Sequence, residues 1–248
     1  MKSACVAFAF ALALAPLAAQ AGEAVDYAVG SETFEGYRAA ASGESKGIVL
    51  VIHDWDGLTE YEQRRADMIA GLGYDTFAID LFGKGNRPAD IEARKNETGR
   101  LYQDRERMRA LILGGLAEAR KGGAAKTVVM GYCFGGTAAL ELARSGKAEG
   151  VVGYTSFHGG LETPEGQSYP PGTPPILIAH GGADTSVTMD HVAALAKEFE
   201  AAGVGYEIEI YSGAPHGFTH FDSDRYQKRA DELSWDAFKD FLAETLAK

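Results

Sequence analysis

Continuous apolar runs alternate along this chain with stretches of helical spacing. From Gly47 to His53 the sequence G-I-V-L-V-I-H is an unbroken, β-branched run, the mark of a strand buried on both faces of a parallel sheet. Similar runs recur at Tyr74 to Ile79, Thr127 to Met130, Gly150 to Tyr154, Pro175 to Ala179 and Tyr206 to Tyr211, with helically spaced apolar residues between them. This βαβα rhythm predicts an α/β fold: a mostly parallel central sheet with helices on both faces and a ligand crevice at the carboxyl ends of the strands. Ahead of it, V-D-Y-A-V-G and T-F-E-G-Y-R-A-A alternate apolar with polar residues around Gly30-Ser31-Glu32. That pattern predicts an antiparallel N-terminal hairpin of edge strands. The charged segment Gly83 to Gln103 is too long for a tight connection and predicts a small helical excursion near the crevice.

The first residues depart from this rhythm. Lys2 precedes an apolar run from Ala4 to Ala19, interrupted by Pro16 and closed by Ala19-Gln20-Ala21. This is the pattern of a secretory signal peptide over residues 1–21, and the run falls short of the roughly 20 residues that span a bilayer. The expectation is an exported protein, periplasmic or secreted, whose residues 22–248 form one domain and which has no membrane attachment after cleavage. The net charge of −11 disfavours nucleic acid and anionic membrane surfaces, so a small molecule is the expected partner and a monomer the expected state. Of the two cysteines, Cys5 leaves with the signal and Cys133 remains alone, so no intrachain disulfide is available in an oxidising compartment.

That lone thiol stands in T-V-V-M-G-Y-C-F-G-G-T-A-A-L, where a buried strand passes through Gly131-Tyr132-Cys133-Phe134-Gly135 directly into an apolar helix. Strand, sharp turn and helix make a nucleophile elbow, with glycines two positions either side where a Cβ would collide with its neighbours. The backbone N–H of Phe134, at the helix start, is aimed toward a developing oxyanion. Taken alone, Cys133 is also explained as a small buried hydrophobe. The order along the chain decides against that, because a nucleophile, an acid and a histidine follow one another in loops after strands, as in α/β-hydrolases. Asp184 follows the strand and turn of I-L-I-A-H-G-G-A-D; alone it would read as a turn or cap residue. His216 follows a later strand between Pro215 and Gly217, in a loop with no helical face to satisfy. The backbone N–H of Trp55, in the H-D-W-D-G-L loop after the first long strand, is the candidate second oxyanion donor, with His53 and Asp56 fixing that loop.

G-Y-C-F-G-G, H-D-W-D-G-L, I-D-L-F, G-G-A-D and P-H-G-F together resemble the dienelactone hydrolase family, the carboxymethylenebutenolidase-like α/β-hydrolases, across nearly all of residues 22–248. The resemblance implies an α/β-hydrolase fold and hydrolysis of a small ester or lactone through a thioester. It also implies that Asp54 occupies the place of a family Glu that pairs with the cysteine. Two family arginines that hold a substrate carboxylate are matched by Lys84 and His220. Lys lacks the bidentate fork of Arg and His is mostly neutral at neutral pH, so the resemblance carries the mechanism better than the substrate. His158, in S-F-H-G-G-L-E after a strand, is a candidate to line the pocket from above. No cofactor and no metal are expected; His216 and His220 have i, i+4 spacing, but Pro215 and Gly217 argue against a helix there. The rival readings are a thiol-based binding or redox-sensing protein, and an amidase, peptidase or thioesterase on the same residues.

Overall fold

The computed structural model describes residues 21–123 and 126–246. In chain order the elements are β1 (Glu23–Val29), β2 (Glu32–Ala39), β3 (Ile48–Ile52), α1 (Glu60–Gly71), β4 (Asp75–Ile79), α2 (Ile91–Gln103), α3 (Arg105–Ala119), β5 (Thr127–Tyr132), α4 (Phe134–Ser145), β6 (Val151–Phe157), β7 (Ile176–Gly181), α5 (Met189–Ala202), β8 (Tyr206–Tyr211) and α6 (Lys228–Leu246). The strands form a single sheet in the order β1-β2-β4-β3-β5-β6-β7-β8. Pairing is antiparallel at β1–β2 and β2–β4 and parallel from β4 through β8.

The unbroken apolar runs have a direct physical cause. In β3 the side chains of Leu50 and Ile52 enter one buried cluster with α3, α4 and α5, while Val49 and Val51 enter the other with α1 and α6. Successive strand residues point to opposite faces, so a strand covered on both sides has no polar alternate. The hairpin forms as its alternation predicts, but only β1 lies at the edge. β2 is inside the sheet because its Tyr37–Ala39 segment pairs with β4. The excursion after β4 becomes α2, which runs into α3 at Asp104; that residue ends α2 and its carboxylate accepts Arg107 N–H to begin α3.

Among the described residues no helix is long and apolar enough to cross a membrane. The signal-peptide reading falls on residues 1–21, all but Ala21 of which lie outside the described residues. The crevice at the carboxyl end of the sheet is lined from the loops that follow β3, β5, β7 and β8 and from α2.

Candidate functional site

Cys133 sits between the end of β5 and the start of α4 with φ 49° and ψ −109°. A non-glycine residue held there costs on the order of 1–3 kcal/mol, and the surroundings must over-determine it. They do so through backbone. A Cβ on Gly131 would lie 2.2 Å from the Gly135 carbonyl carbon, and one on Gly135 would lie 2.2 Å from Ile52 O. Cys133 N–H donates to Phe157 O at 3.0 Å, tying the elbow to the end of β6. The two glycines allow α4 to rest on β3 and β5 at a distance no other residue permits, and that approach lifts the thiol above the sheet.

The residues from the two later loops meet this thiol. His216 Nε2 is 3.1 Å from Cys133 Sγ, and His216 Nδ1 is 2.7 Å from Asp184 Oδ2. Asp184 also fills the bland role that its turn suggested. Its Oδ1 accepts the N–H groups of Ser186 (2.8 Å) and Val187 (2.9 Å). One carboxylate oxygen thus shapes the turn and the other faces the imidazole. Burial works against the ionised form, but the His216 hydrogen bond and these two N–H donors hold the Asp184 carboxyl below the usual carboxylate range.

The loop after β3 is arranged more tightly than its sequence suggests. His53 is fully buried, with Nδ1 bonded to Asp54 O at 2.6 Å and Nε2 accepting Leu81 N–H at 3.0 Å, so it fixes the loop and does not face the crevice. The N–H of Trp55 donates to the Asp54 carboxylate. The predicted oxyanion donor is therefore capped by its neighbour's side chain. Asp54 and the N–H of Phe134 also lie close enough to the Cys133 thiol to act on its charge, Asp54 against ionisation and Phe134 N–H in favour of it. Burial, and after it the negative charge of Asp56, pushes the Asp54 carboxyl above its ordinary range. Burial first, and Asp54 second, pushes the Cys133 thiol above its ordinary range. Glu62 supports the loop from below: it is fully buried, accepts the N–H groups of Asp54 (3.2 Å) and Thr59 (2.9 Å), and burial raises its carboxyl to about 8.

Above Cys133 opens a cavity of about 500 Å³ lined by residues that include Trp55, Arg94, Ser186, His216, His220 and Arg225. Not every sequence candidate reaches it. Lys84 is on the surface, ion-paired with Asp26 of β1, because the chain after β4 turns toward the hairpin rather than over the elbow. His158 does not line the cavity either; it is 1% exposed, beneath the His216 loop, with Nε2 2.8 Å from Thr219 Oγ1. Burial, and after it the proximity of His216, pushes the His158 imidazole well below its ordinary range. His220 does line the cavity, its ring stacked on Tyr61 at 4.3 Å. Arg94 and Arg225, which no sequence motif marks, both line it. Arg94 extends from α2 over the Trp55 ring and lies 3.7 Å from Asp56, while Arg225 has no carboxylate partner among the described residues. Neither carried a readable signal: one lies in a charged helix and the other in a polar loop, where arginines are ordinarily solvated.

The site thus places a thiol beside an imidazole and an aspartate behind that imidazole. Comparison with known proteins agrees in kind. The model of the dienelactone hydrolase family matches residues 34–246. The human carboxymethylenebutenolidase homolog is 26% identical over 200 residues, covering 76% of this chain and 77% of its own. Hydrolase tropI of Talaromyces stipitatus is 24% identical over 218 residues, covering 75% and 83%. Among solved structures, a dienelactone hydrolase-like promiscuous phosphotriesterase from metagenomic libraries superposes with a TM-score of 0.82 at 26% identity, covering 90% of this chain and 98% of that one.

Proposed function

The chain belongs to the dienelactone hydrolase family and is an ester or lactone hydrolase, and from that premise we propose that it works through Cys133, His216 and Asp184. The observation that carries the proposal is the unbroken sequence of short contacts from Cys133 Sγ to His216 Nε2 and from His216 Nδ1 to Asp184 Oδ2.

Asp184 keeps the proton on His216 Nδ1, which leaves Nε2 free to accept the thiol proton. The sulfur then attacks the ester or lactone carbon, and the carbonyl electron pair moves onto oxygen. That oxygen displaces the Asp54 carboxyl from Trp55 N–H and is held by the N–H groups of Trp55 and Phe134. The tetrahedral intermediate expels the alkoxide, which takes the proton from His216 and leaves an acyl thioester on Cys133. Water, deprotonated by His216, attacks the thioester; the carboxylic acid departs and the sulfur recovers its proton. Asp54 ties the two halves of the first step together: while it caps Trp55 it also keeps the thiol protonated, and the arriving carbonyl relieves both. A base and an orienting acid in contact with the thiol favour hydrolysis over peroxide sensing, which needs neither.

Hydrolysis of a small aryl ester by the purified protein is the test. Cys133→Ala is expected to lose at least about 10³-fold in kcat/KM, as removal of a nucleophile does in other acyl transferases; equal rates for the two proteins would end the thiol mechanism. The chain is further proposed to be exported with residues 1–21 removed, on the strength of the Lys2, apolar-run and Ala-Gln-Ala pattern. N-terminal sequencing of protein recovered from the periplasm or medium should begin at Gly22.

A further inference from the structure

The His216 loop is anchored on both sides of the histidine. On the upstream side Ala214 O accepts Ala183 N–H at 2.9 Å, which joins the loop to the Asp184 turn. On the downstream side the anchor is Thr219, fully buried, three residues past His216. Its hydroxyl is 2.7 Å from Tyr61 Oη and 2.8 Å from His158 Nε2, and its carbonyl accepts Arg65 N–H at 2.8 Å. Arg65 is itself 1% exposed and paired with Asp231 of α6.

His158 gives this anchor its meaning. Its chain neighbour Phe157 supplies the carbonyl that accepts Cys133 N–H. The contacts therefore close a ring: from Cys133 backbone to Phe157, along the chain to His158, from its imidazole to Thr219, back along the chain to His216, and from that imidazole to Cys133 Sγ. His158 adopts φ 40°, one of three non-glycine residues with positive φ among those described, so its ring is held under the loop at a conformational cost. Tyr61 extends the same anchor to the cavity wall, because its ring stacks on His220.

We propose that Thr219 and His158 are positioning residues whose hydroxyl–imidazole bond sets the separation of Cys133 and His216. The inference rests on the thiol mechanism proposed above. Neither residue touches substrate; both act through His216. A displacement of the base by about 1 Å is enough to cost on the order of 10²-fold in turnover.

Thr219→Val keeps the side-chain shape and removes the hydroxyl, while Thr219→Ser keeps the hydroxyl. The valine variant is expected to lose roughly 10- to 100-fold in kcat with KM within about twofold, and the serine variant to regain most of that loss. The pH profile of Cys133 alkylation by iodoacetamide should move in Thr219→Val toward the profile of His216→Ala, a response that loss of packing alone does not produce. His158→Asn is the second probe: Asn tolerates the left-handed backbone but is too short to reach Thr219, and it should show the same selective fall in kcat. It decides the question if Thr219→Val does not fold. Unchanged kcat and alkylation in the folded variants, or equal losses for Val and Ser at position 219, would overturn the proposal. Cys133→Ala is assayed alongside. If it is inactive while Thr219→Val matches the wild type, the positioning role alone falls; if it is fully active, the thiol mechanism falls with it.

Discussion

The two halves of the candidate site are held in place by different means. On the elbow side, Cys133 is set by backbone packed on backbone, with Gly131 against Gly135 and Gly135 against Ile52 O. On the loop side, His216 and Asp54 are set by side-chain hydrogen bonds through Thr219, Asp184 and Glu62. Backbone packing has no intermediate settings, since a side chain added at either glycine would fall 2.2 Å from backbone atoms that cannot yield without moving a strand or helix. Hydrogen bonds can be lengthened, exchanged or neutralised one at a time. The thiol's place is therefore a property of the fold, and its reactivity is a property of a few side chains that can change without the fold changing.

Each half can be perturbed without the other. Gly135→Ala should have the largest effect, a loss of more than about 4 kcal/mol of stability and little soluble protein, because its Cβ would meet Ile52 O. Denaturant unfolding near wild-type stability would show that the elbow can yield at Gly135. Asp54→Asn should leave the fold intact and act on the thiol alone. With the second cause of its raised pKa removed, Cys133 should be alkylated at lower pH, with a several-fold faster reaction at neutral pH. An unchanged alkylation profile would remove Asp54 from the control of the sulfur. The smallest effect is expected at Glu62, whose carboxyl is raised by burial from 4.5 to about 8. The folded state then holds a proton that the unfolded chain releases earlier, so this group's stability is complete below pH 4.5 and is lost as pH rises toward about 8. Denaturation midpoints across that window should fall in the wild type and flatten in Glu62→Gln, whose amide costs some stability at low pH by meeting the Asp54 or Thr59 N–H.

The same division explains what the sequence discloses. The sheet, the elbow and the order of Cys133, Asp184 and His216 rest on local patterns: β-branched runs, glycines at fixed offsets, and polar residues directly after strands. Those patterns also put β2 at an edge, where the structure has it between β1 and β4, because strand pairing partners are not written in alternation. The side-chain half is much less legible. Thr219 in T-H-F and Arg65 in R-R-A-D look like ordinary polar residues, and only the contact of α1 and α6 beneath the loop makes them buried partners. Lys84 was brought forward by its alignment with a family position, yet the turn after β4 directs it to Asp26. Asp54 was legible as a partner of the thiol; that it also covers Trp55 N–H depends on a rotamer, which no residue pattern encodes.

The strand order carries a consequence of another kind. β3, β5, β6, β7 and β8 are successive neighbours in the sheet, and each delivers one participant just past its carboxyl end: Asp54, Cys133, His158, Asp184 and His216. Neighbouring strands stand about 4.8 Å apart, so the strand ends that supply these residues span a row of roughly 20 Å, and separate loops bring their side chains together. Each loop can therefore grow, shrink or change its lining residues while the others keep their stations. An architecture of that kind lets the cavity lining drift by small independent steps, and the candidate site around Cys133 need not be rebuilt each time.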